Sequence, residues 1–363
     1  MKLLHISTAL SWRGGEQQLA YLLEGLLPKS DVIQSVFCFK NSEIEKFCRL
    51  KNIPVITTKR RSAFHPLLAL KVKNACVEHS IDIIHAHDAH AHTIAVLSSF
   101  LFSNKTGIIL SRKVDFELKK NFFTQFKYNH ASIKKIICVS NKVAEIIAPA
   151  IRRKELLCTI HDGIDLDKFD AVSKGILRTE YGIDKATFLI GNVAAIAAHK
   201  DYYTFVDTAE ILLAKNTNAK FFIIGDGPER EHITAYIAQK KLEKEILLCG
   251  FRKDISSVLP ELDVFLFSSK TEGLGSSILD AYACSVPVVA TSAGGIPEIV
   301  LNEKTGLLSP PQQAKALAEN VVRVLENPGL RKELTTAALQ WVKNFSKEKN
   351  AEASYRVYQE ILN

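Results

Sequence analysis

The chain has 363 residues, 47% of them hydrophobic and 24% charged, which predicts a globular protein of two domains. Its seven cysteines are scattered, odd in number and without a C-x-x-C pair, which argues against a disulfide framework or zinc site and for a reducing cytosol. No apolar run has the length of a membrane helix, and MKLLHISTALSW is typical of a buried first strand rather than a signal peptide.

The positive charge is uneven along the chain. Residues 1–170 hold 25 Lys+Arg against 16 Asp+Glu, a net +9, whereas residues 171–363 are close to neutral. One interpretation is a surface for anionic lipid headgroups or an anionic acceptor, and the other is a solvated lysine-rich surface. The sequence leaves both open. The basic clusters are Lys59-Arg60-Arg61, Arg112-Lys113, Lys119-Lys120, Lys134-Lys135 and Arg152-Arg153-Lys154.

The N-terminal half alternates between predicted strands and helices, a pattern typical of a parallel sheet covered by helices. The loop STALSWRGG joins the first strand to the first helix, but it lacks the G-x-G-x-x-G spacing of a dinucleotide site. A ligand loop and a tight strand-to-helix turn both remain open for it. The predicted strands are Lys2–Ser7, Asp31–Cys38 and Pro54–Ile56, and the predicted helices are Gly14–Leu26, Glu43–Lys51 and Pro66–Glu78.

A histidine-rich run follows the predicted strand Ile81–Ala86, in the segment HAHDAHAH. A metal cluster is one interpretation, but few further acidic or histidine residues stand at other strand ends to complete a ligand set. Lining of a cleft without metal, or simple packing, are the alternatives. The next predicted strand, Gly107–Ser111, ends in RKVDFE, and its Arg112 is either a cleft guanidinium suited to carboxylate or phosphate or a plain surface residue.

After a polar connector, Asp170–Ala186, the β-α pattern restarts and predicts a second parallel sheet. GDGPER gives only Gly-x-Gly after a strand, which is weak by itself. The predicted strands are Thr187–Val193, Lys220–Ile224 and Ile246–Leu248, and the predicted helices are Tyr203–Lys215, Glu229–Lys240 and Asp254–Val258.

The most informative stretch is VFLFSSKTEGLGSSILDAYACSVPVVATSAGGIPEIV, from Val264 to Val300. It predicts two consecutive strand-to-helix turns rich in glycine. Such turns lie at the carboxyl ends of parallel strands, where backbone N–H groups attract anions such as a diphosphate. Glu272 and Asp280 flank the first turn, so their carboxylates are placed to accept hydrogen bonds from hydroxyl groups of the same ligand.

This stretch resembles the donor-binding signature of the retaining glycosyltransferases of the GT-B fold, family 4. It keeps the family's first Glu, its glycines and the Pro-Val-Val and Gly-Gly-x-Pro-Glu segments, but has Leu274 where Phe is common and Asp280 where Glu is expected. The resemblance implies that Glu272 contacts the transferred sugar and Asp280 the ribose. It also places Gly273, Leu274, Gly275 and Ser276 at the donor.

Other landmarks resemble the family along nearly the whole chain. Gly15 matches an N-terminal glycine loop that closes over the donor phosphate, and Gly225 matches a Gly-x-Gly-Pro segment. Lys200 matches a phosphate-binding lysine, while the family's neighbouring arginine position is Ala195. The resemblance places His87 and Asp115 in the acceptor cleft, and Arg112 stands where the family has a catalytic histidine.

The sequence therefore predicts an α/β protein of the GT-B fold, with two Rossmann-like domains facing a cleft and a C-terminal helix crossing back to the first. The predicted domains are an acceptor domain over residues 1–170, a donor domain over 171–340 and the terminal helix over 341–363. Residues Glu272, Lys200 and Arg112 are the predicted catalytic groups.

The resemblance implies a retaining, metal-independent transfer of sugar from a nucleotide-diphosphate sugar to a glycan or glycolipid acceptor, without cofactor or nucleic acid. The expected setting is bacterial lipopolysaccharide or surface-polysaccharide synthesis, in the cytoplasm or on the inner face of the membrane. The alternatives are a non-catalytic nucleotide- or membrane-binding α/β protein and a nicotinamide dehydrogenase. This sequence lacks the G-x-G-x-x-G fingerprint that a nicotinamide dehydrogenase needs.

Overall fold

A computed structural model describes residues 1–169 and 175–363. The chain divides into two compact units, the first formed by Met1–Gly163 with Lys347–Asn363 and the second by Ile164–Ser346. These divisions lie a few residues away from the predicted ones at 170/171 and 340/341. Within the described ranges, no helix is both long enough and apolar enough to cross a bilayer.

The first unit is built on a parallel sheet. Among the described residues this sheet has seven strands in the order β3-β2-β1-β4-β5-β6-β7. The strands are β1 Lys2–Ile6, β2 Ile33–Phe39, β3 Val55–Thr58, β4 Ile83–Ala86, β5 Gly107–Arg112, β6 Ile133–Cys138 and β7 Leu157–Thr159. The helices are α1 Gly14–Leu26, α2 Glu43–Leu50, α3 Pro66–Glu78, α4 Ala89–Phe102, α5 Phe122–Asn129, α6 Asn141–Ile147 and α15 Lys347–Leu362.

The central strands β1 and β4 are buried on both faces, which explains their largely apolar composition. Leu3, Leu4 and Ile6 of β1 are fully buried, and so are Ile83 and Ile84 of β4. Helix α15 belongs to this unit because it packs on α1. A Cβ added at Gly25 of α1 would lie 2.5 Å from that of Ala351, so the two helices approach at a glycine.

The second unit has its own parallel sheet, with six strands among the described residues in the order β10-β9-β8-β11-β12-β13. The strands are β8 Phe188–Val193, β9 Ala219–Ile224, β10 Ile246–Gly250, β11 Val264–Phe267, β12 Val288–Thr291 and β13 Leu307–Ser309. The helices are α7 Ile176–Tyr181, α8 Tyr202–Ala214, α9 Arg230–Gln239, α10 Ile255–Val258, α11 Ser277–Ala283, α12 Ile296–Ile299, α13 Ala314–Glu326 and α14 Pro328–Trp341.

Most predicted bounds lie within one or two residues of the observed ones, and two regions differ by more. The predicted terminal helix from Trp341 begins only at Lys347, since Phe345 uses its carbonyl to accept the Ile164 N–H at 2.8 Å instead of continuing a helix. The predicted connector 170–186 lies partly outside the described residues, and its described part contains α7. The Glu261 carboxylate caps that helix by accepting the N–H groups of Ile176 and Leu177.

Candidate active site

The strand order of the second sheet creates a crevice at the carboxyl edge. Strand β8 lies between β9 and β11, so the connections that leave β8 and β11 diverge to opposite faces of the sheet. In open parallel sheets, ligands bind at this point of reversal. The loop after β8 carries Lys200, and the loop after β11 carries Glu272. Two predicted donor residues therefore meet where the fold itself favours a ligand.

Lys200 and Glu272 form an ion pair, with Nζ and Oε2 2.5 Å apart. Only 14% of the lysine side chain and 12% of the glutamate side chain are exposed. Ser269 donates its hydroxyl to the same carboxylate oxygen at 3.3 Å, and the ammonium lies 4.9 Å from the centre of the Phe267 ring. A phosphate that approaches Lys200 therefore competes with Glu272 for the ammonium.

Hydrogen bonds between the two loops hold this pair in place. The Ser268 hydroxyl donates to the carbonyls of Lys200 and Asp201 at 3.1 Å each. The backbone N–H of Lys270 donates to the His199 carbonyl at 2.9 Å. These hydrogen bonds join the β8 loop to the β11 loop next to the ion pair.

The second glycine turn supports Glu272 from behind. Gly294 has a φ of +52°, and a Cβ added there would lie 1.9 Å from the Glu272 carbonyl oxygen. The N–H of Gly295 donates to the same oxygen at 3.0 Å. The sequence predicted two separate turns that attract anions. The structure shows that the second turn also fixes the backbone of the residue predicted to contact the sugar.

The loop that follows Glu272 leads directly into α11. Gly275 adopts a φ of +88°, which a side chain would strain, while Leu274 is 3% exposed and packs in the core. Gly273 is buried and Ser276 is half-buried just before the helix. The position where the family has Phe is therefore used for packing.

Asp280 lies on α11 as a half-buried carboxylate. Burial raises the pKa of Asp280 to about 6, an effect that the charge of Lys168 reduces. Among the described residues we find no hydrogen bond or ion pair to its side chain. A desolvated acid with a shifted pKa beside a strand-end crevice is typical of a functional site.

Gly225 serves the same crevice through packing. It has a φ of +148°, and a Cβ there would lie 2.0 Å from the Ala194 carbonyl oxygen. In the same loop, the carbonyl of Asp226 accepts a hydrogen bond from the N–H of Ile196 at 3.1 Å. Glycine at this position is thus explained by close contact with the β8 loop.

The first sheet has an equivalent crevice between β1 and β4, where three histidines meet. Nδ1 of His5 lies 3.0 Å from Nε2 of His87, and the His85 and His87 ring centres are 4.1 Å apart. Burial lowers the pKa of all three imidazoles, so they are neutral. Nε2 of His5 is buried and has no hydrogen-bond partner among the residues that the structure describes.

One nitrogen from each of these histidines lies within 4.8 Å of the others, a spacing that could admit a metal ion. Neutral imidazoles are transition-metal ligands. However, His85 already uses both ring nitrogens, Nδ1 with the Tyr358 hydroxyl at 2.7 Å and Nε2 with the Ser111 hydroxyl at 2.9 Å. The positive charge of Lys113 also acts on His85 and His87. The donor set therefore suits a hydrogen-bonded network better than a cation.

Tyr358 was not singled out in the sequence. It lies on α15, 273 positions after His85, and is fully buried. Its buried hydroxyl needs a partner, which His85 supplies. The apolar stripe of the terminal helix gives no signal that one of its tyrosines reaches the histidine run, since only packing of α15 on this sheet brings the two together.

The two glycines that begin α1 have open space around them. A Cβ added at Gly14 or Gly15 would meet no atom within 4 Å, and neither glycine has a positive φ. Neither packing nor backbone strain explains these two glycines. Nearby, Asp88 at the end of β4 accepts hydrogen bonds from the N–H and hydroxyl of Thr8 and caps α4, so this carboxylate is structural.

Arg112 ends β5 and is engaged locally. Its Nη2 donates to the Phe116 carbonyl at 2.6 Å, and Nη1 lies 3.4 Å from the Tyr128 hydroxyl. Its Nε is buried and has no hydrogen-bond partner within residues 1–169 and 175–363. Asp115, half-buried on the same loop, has no ion pair among the described residues. Beside them, Lys113 pairs with Asp162.

Comparison with known proteins agrees with this arrangement. The model of the glycosyl transferases group 1 matches residues 173–341, and the model of glycosyltransferase family 4 matches residues 12–168. The Anabaena protein Alr3699/HepE, solved with UDP and glucose, has a TM-score of 0.85 at 20% identity over 99% of this chain and 100% of its own.

Two curated relatives align over much of the chain. N-acetyl-alpha-D-glucosaminyl L-malate synthase of Bacillus anthracis is 23% identical over 81% of this chain and 79% of its own length. UDP-Gal:alpha-D-GlcNAc-diphosphoundecaprenol alpha-1,3-galactosyltransferase of Escherichia coli is 26% identical over 68% of this chain and 67% of its own.

Two parallel-sheet Rossmann-like units of this kind define the GT-B fold, as predicted. The chain belongs to the group 1, family 4 glycosyltransferases, whose two models together match nearly all of it.

Proposed function

We propose that this glycosyltransferase transfers a sugar from a nucleotide-diphosphate sugar, with retention of configuration and without a metal ion, to a hydroxyl of a glycan or glycolipid. The observation that carries the proposal is the Lys200–Glu272 pair at the crevice of the second sheet, beside the glycine loop of residues 273–276. The pair combines a cation for the diphosphate with a carboxylate for the sugar.

The proposed role of each site residue follows from its charge. Lys200, together with the backbone of the loop at 273–276, stabilises the negative charge that grows on the diphosphate as the bond to the sugar breaks. Glu272 faces the sugar, whose ring becomes positive in the transition state, and Asp280 accepts hydroxyl groups of the ribose. Arg112, with His87 and Asp115, stays a predicted contributor from the first unit.

In the proposed reaction, the bond between the anomeric carbon and the phosphate oxygen breaks, and the acceptor oxygen bonds to that carbon on the same face. The proton of the acceptor hydroxyl passes to the departing phosphate oxygen. Among the described residues we assign no covalent nucleophile, and the leaving phosphate supplies the base.

Uridine diphosphate is the proposed leaving group. The support is the Anabaena protein solved with UDP and glucose and the UDP-Gal-dependent relative of Escherichia coli. That relative acts on a lipid-linked diphosphate sugar, which supports a lipid-linked acceptor and a role in surface-polysaccharide or lipopolysaccharide synthesis. The basic excess of the N-terminal half supports work at the inner face of an anionic membrane.

A melting-temperature panel tests the proposal. A ligand that binds the folded state stabilises it by mass action, about 2.7 kcal/mol at a hundredfold excess over Kd. UDP and UDP-sugars should raise the melting temperature, while ADP, GDP and NADH should not. Stabilisation by NADH alone, or by no nucleotide, would contradict the proposed donor. Turnover should persist in excess EDTA, and activity that needs added Mg²⁺ or Mn²⁺ would contradict the metal-free mechanism.

A further inference from the structure

The first unit exposes a set of phenylalanine rings around α5. Phe64 contacts Phe123 with ring centres 4.9 Å apart, and Phe100 contacts Phe126 at 5.1 Å. Phe122 stacks near Phe126 at 6.4 Å. These five residues, which we call the phenylalanine patch, come from the loop before α3, the end of α4 and the first five residues of α5.

The patch is open to solvent. Phe122 is 85% exposed, and Phe64 and Phe100 are each 58% exposed. Single exposed apolar residues are ordinary, but contiguous ones on one surface mark an interaction site. Leu67 and Leu101, the former on α3 and the latter next to Phe100 in the chain, are also exposed, at 46% and 47%.

Basic residues precede or follow each exposed ring in the chain. Among the described residues none of them has an ion-pair partner, and all are exposed. In the segment 116–126, the exposed acidic residue Glu117 stands against two exposed lysines, Lys119 and Lys120. The basic residues are Lys59, Arg60 and Arg61 before Phe64, Lys105 after Phe100, and Lys119 and Lys120 before Phe122.

We infer that the phenylalanine patch docks on the surface of a bilayer that contains anionic lipid. The rings enter the boundary between headgroups and acyl chains, while the lysines and arginines contact the headgroups. This inference deepens the proposed membrane setting by naming the surface, and it does not depend on the transferase reaction.

Two observations favour lipid over other partners. A second copy of this chain would bring an equally positive patch against the first, which like charges disfavour. A nucleic acid would use the rings for stacking, but leucines such as Leu67 and Leu101 offer nothing to a base and partition well into acyl chains. Charge and apolar composition are complementary to an anionic membrane.

Vesicle co-sedimentation of the full chain tests the inference. Vesicles of phosphatidylcholine with 30% phosphatidylglycerol should bind the protein at least tenfold more tightly than phosphatidylcholine alone. Raising salt from about 0.1 to 1 M should weaken binding strongly, because the screening length falls from about 10 to 3 Å. Phe64→Ser with Phe122→Ser should weaken binding to acidic vesicles at least tenfold.

Matched controls separate the patch from general surface effects. Phe251→Ser removes a ring that is 67% exposed on the second unit, and Leu50→Ser removes an apolar side chain that is 78% exposed on α2. Neither should change binding. Lys119→Gln with Lys120→Gln should weaken binding about tenfold, whereas Lys304→Gln with Lys315→Gln on the second unit should not. All variants change exposed side chains, so their melting temperatures should match the wild type.

Equal binding to neutral and acidic vesicles would overturn the inference, as would a double phenylalanine variant that binds like the wild type. Binding of single-stranded RNA or DNA without vesicle binding would assign the patch to nucleic acid instead. Dimerisation in light scattering that Phe122→Ser abolishes would assign it to a second copy. UDP should raise the melting temperature equally in every variant. A negative vesicle result is therefore distinguishable from a failure of the proposed transferase function, which would show as a lack of stabilisation by UDP.

Discussion

Nζ of Lys200 lies 2.5 Å from Oε2 of Glu272, across two loops that follow neighbouring strands of the second sheet. The two side chains neutralise each other before any donor is bound. Each is predicted to contact a different part of the donor, the lysine its diphosphate and the glutamate its sugar. We therefore expect donor binding to replace the internal ion pair with a contact of Lys200 to the diphosphate and hydrogen bonds of Glu272 to sugar hydroxyls.

Lys200→Ala should lower kcat/KM by about 2–4 kcal/mol of transition-state stabilisation, since it removes a preorganised cation from the departing diphosphate. Steady-state kinetics with a UDP-sugar measure this effect. Lys270→Ala, an exposed lysine in the adjoining loop, is the control and should change little.

A loss below tenfold, about 1.4 kcal/mol, would mean that another cation serves the diphosphate. Arg252 is poorly placed for that role, because it is paired with Glu180 and Asp254.

Asp280→Asn and Glu272→Gln should affect different steps. A contact to the ribose is made in the ground state, transition state and product complex, so its loss weakens UDP binding. A contact to the sugar ring gains importance as that ring becomes positive, so Glu272→Gln should lower kcat and leave UDP affinity nearly unchanged. Calorimetry measures UDP affinity and steady-state kinetics measure kcat for both variants. If Glu272→Gln weakened UDP binding and Asp280→Asn lowered kcat instead, the two residues would have each other's roles.

Asp280 should make UDP binding sensitive to acid. Burial raises its pKa to about 6, so the carboxylate proposed to accept ribose hydroxyls becomes protonated as the pH falls through 6. Affinity should therefore decrease by up to about tenfold per pH unit below that value. The ratio of wild-type to Asp280→Asn affinity cancels titration of UDP itself. That ratio should fall by up to about tenfold between pH 7 and pH 5, and a constant ratio from pH 5 to 8 would contradict the role.

The same pKa predicts a stability change. Because the folded pKa lies above the usual value of 3.8, ionisation of Asp280 disfavours the folded state at and above neutral pH, and the cost disappears as the pH falls below about 4. Asp280→Asn should raise the free energy of unfolding by about 1–3 kcal/mol at pH 8 and by less at pH 4. Denaturant titration at the two pH values measures this difference, and an equal effect at both would contradict the desolvation account.

Gly294→Ala should destabilise the second unit and lower activity, because its Cβ would enter the space of the Glu272 carbonyl at a positive φ. We expect a cost of about 2–4 kcal/mol, the sum of overpacking and backbone strain. Gly329→Ala in α14 is the matched control, since its closest contact would be 3.3 Å, to the Asn327 side chain. Melting temperature and turnover check both variants, and a Gly294→Ala protein with wild-type values would contradict the supporting role.

Strong local patterns allowed several elements to be predicted to the residue. Helices α1 and α3 begin and end where the sequence placed them, because a glycine turn or N-terminal proline, an apolar run and polar flanks all agree. Helix α7 was missed because Glu261, which caps it, lies 85 positions from Ile176. A helix cap that comes from a distant part of the chain cannot be predicted from the local sequence of the helix.

The sequence by itself determined the fold class, the family and the residues to examine, since β-α periodicity and the glycine and carboxylate pattern at 272–298 are local properties of the chain. Tertiary structure alone decided which of those residues meet. The order of parallel strands sets which loops share a crevice, and so it joined Lys200 to Glu272, placed Gly294 behind that glutamate and brought Tyr358 to His85. Those pairings depend on packing between segments far apart in the chain, which carry no sequence signal for one another.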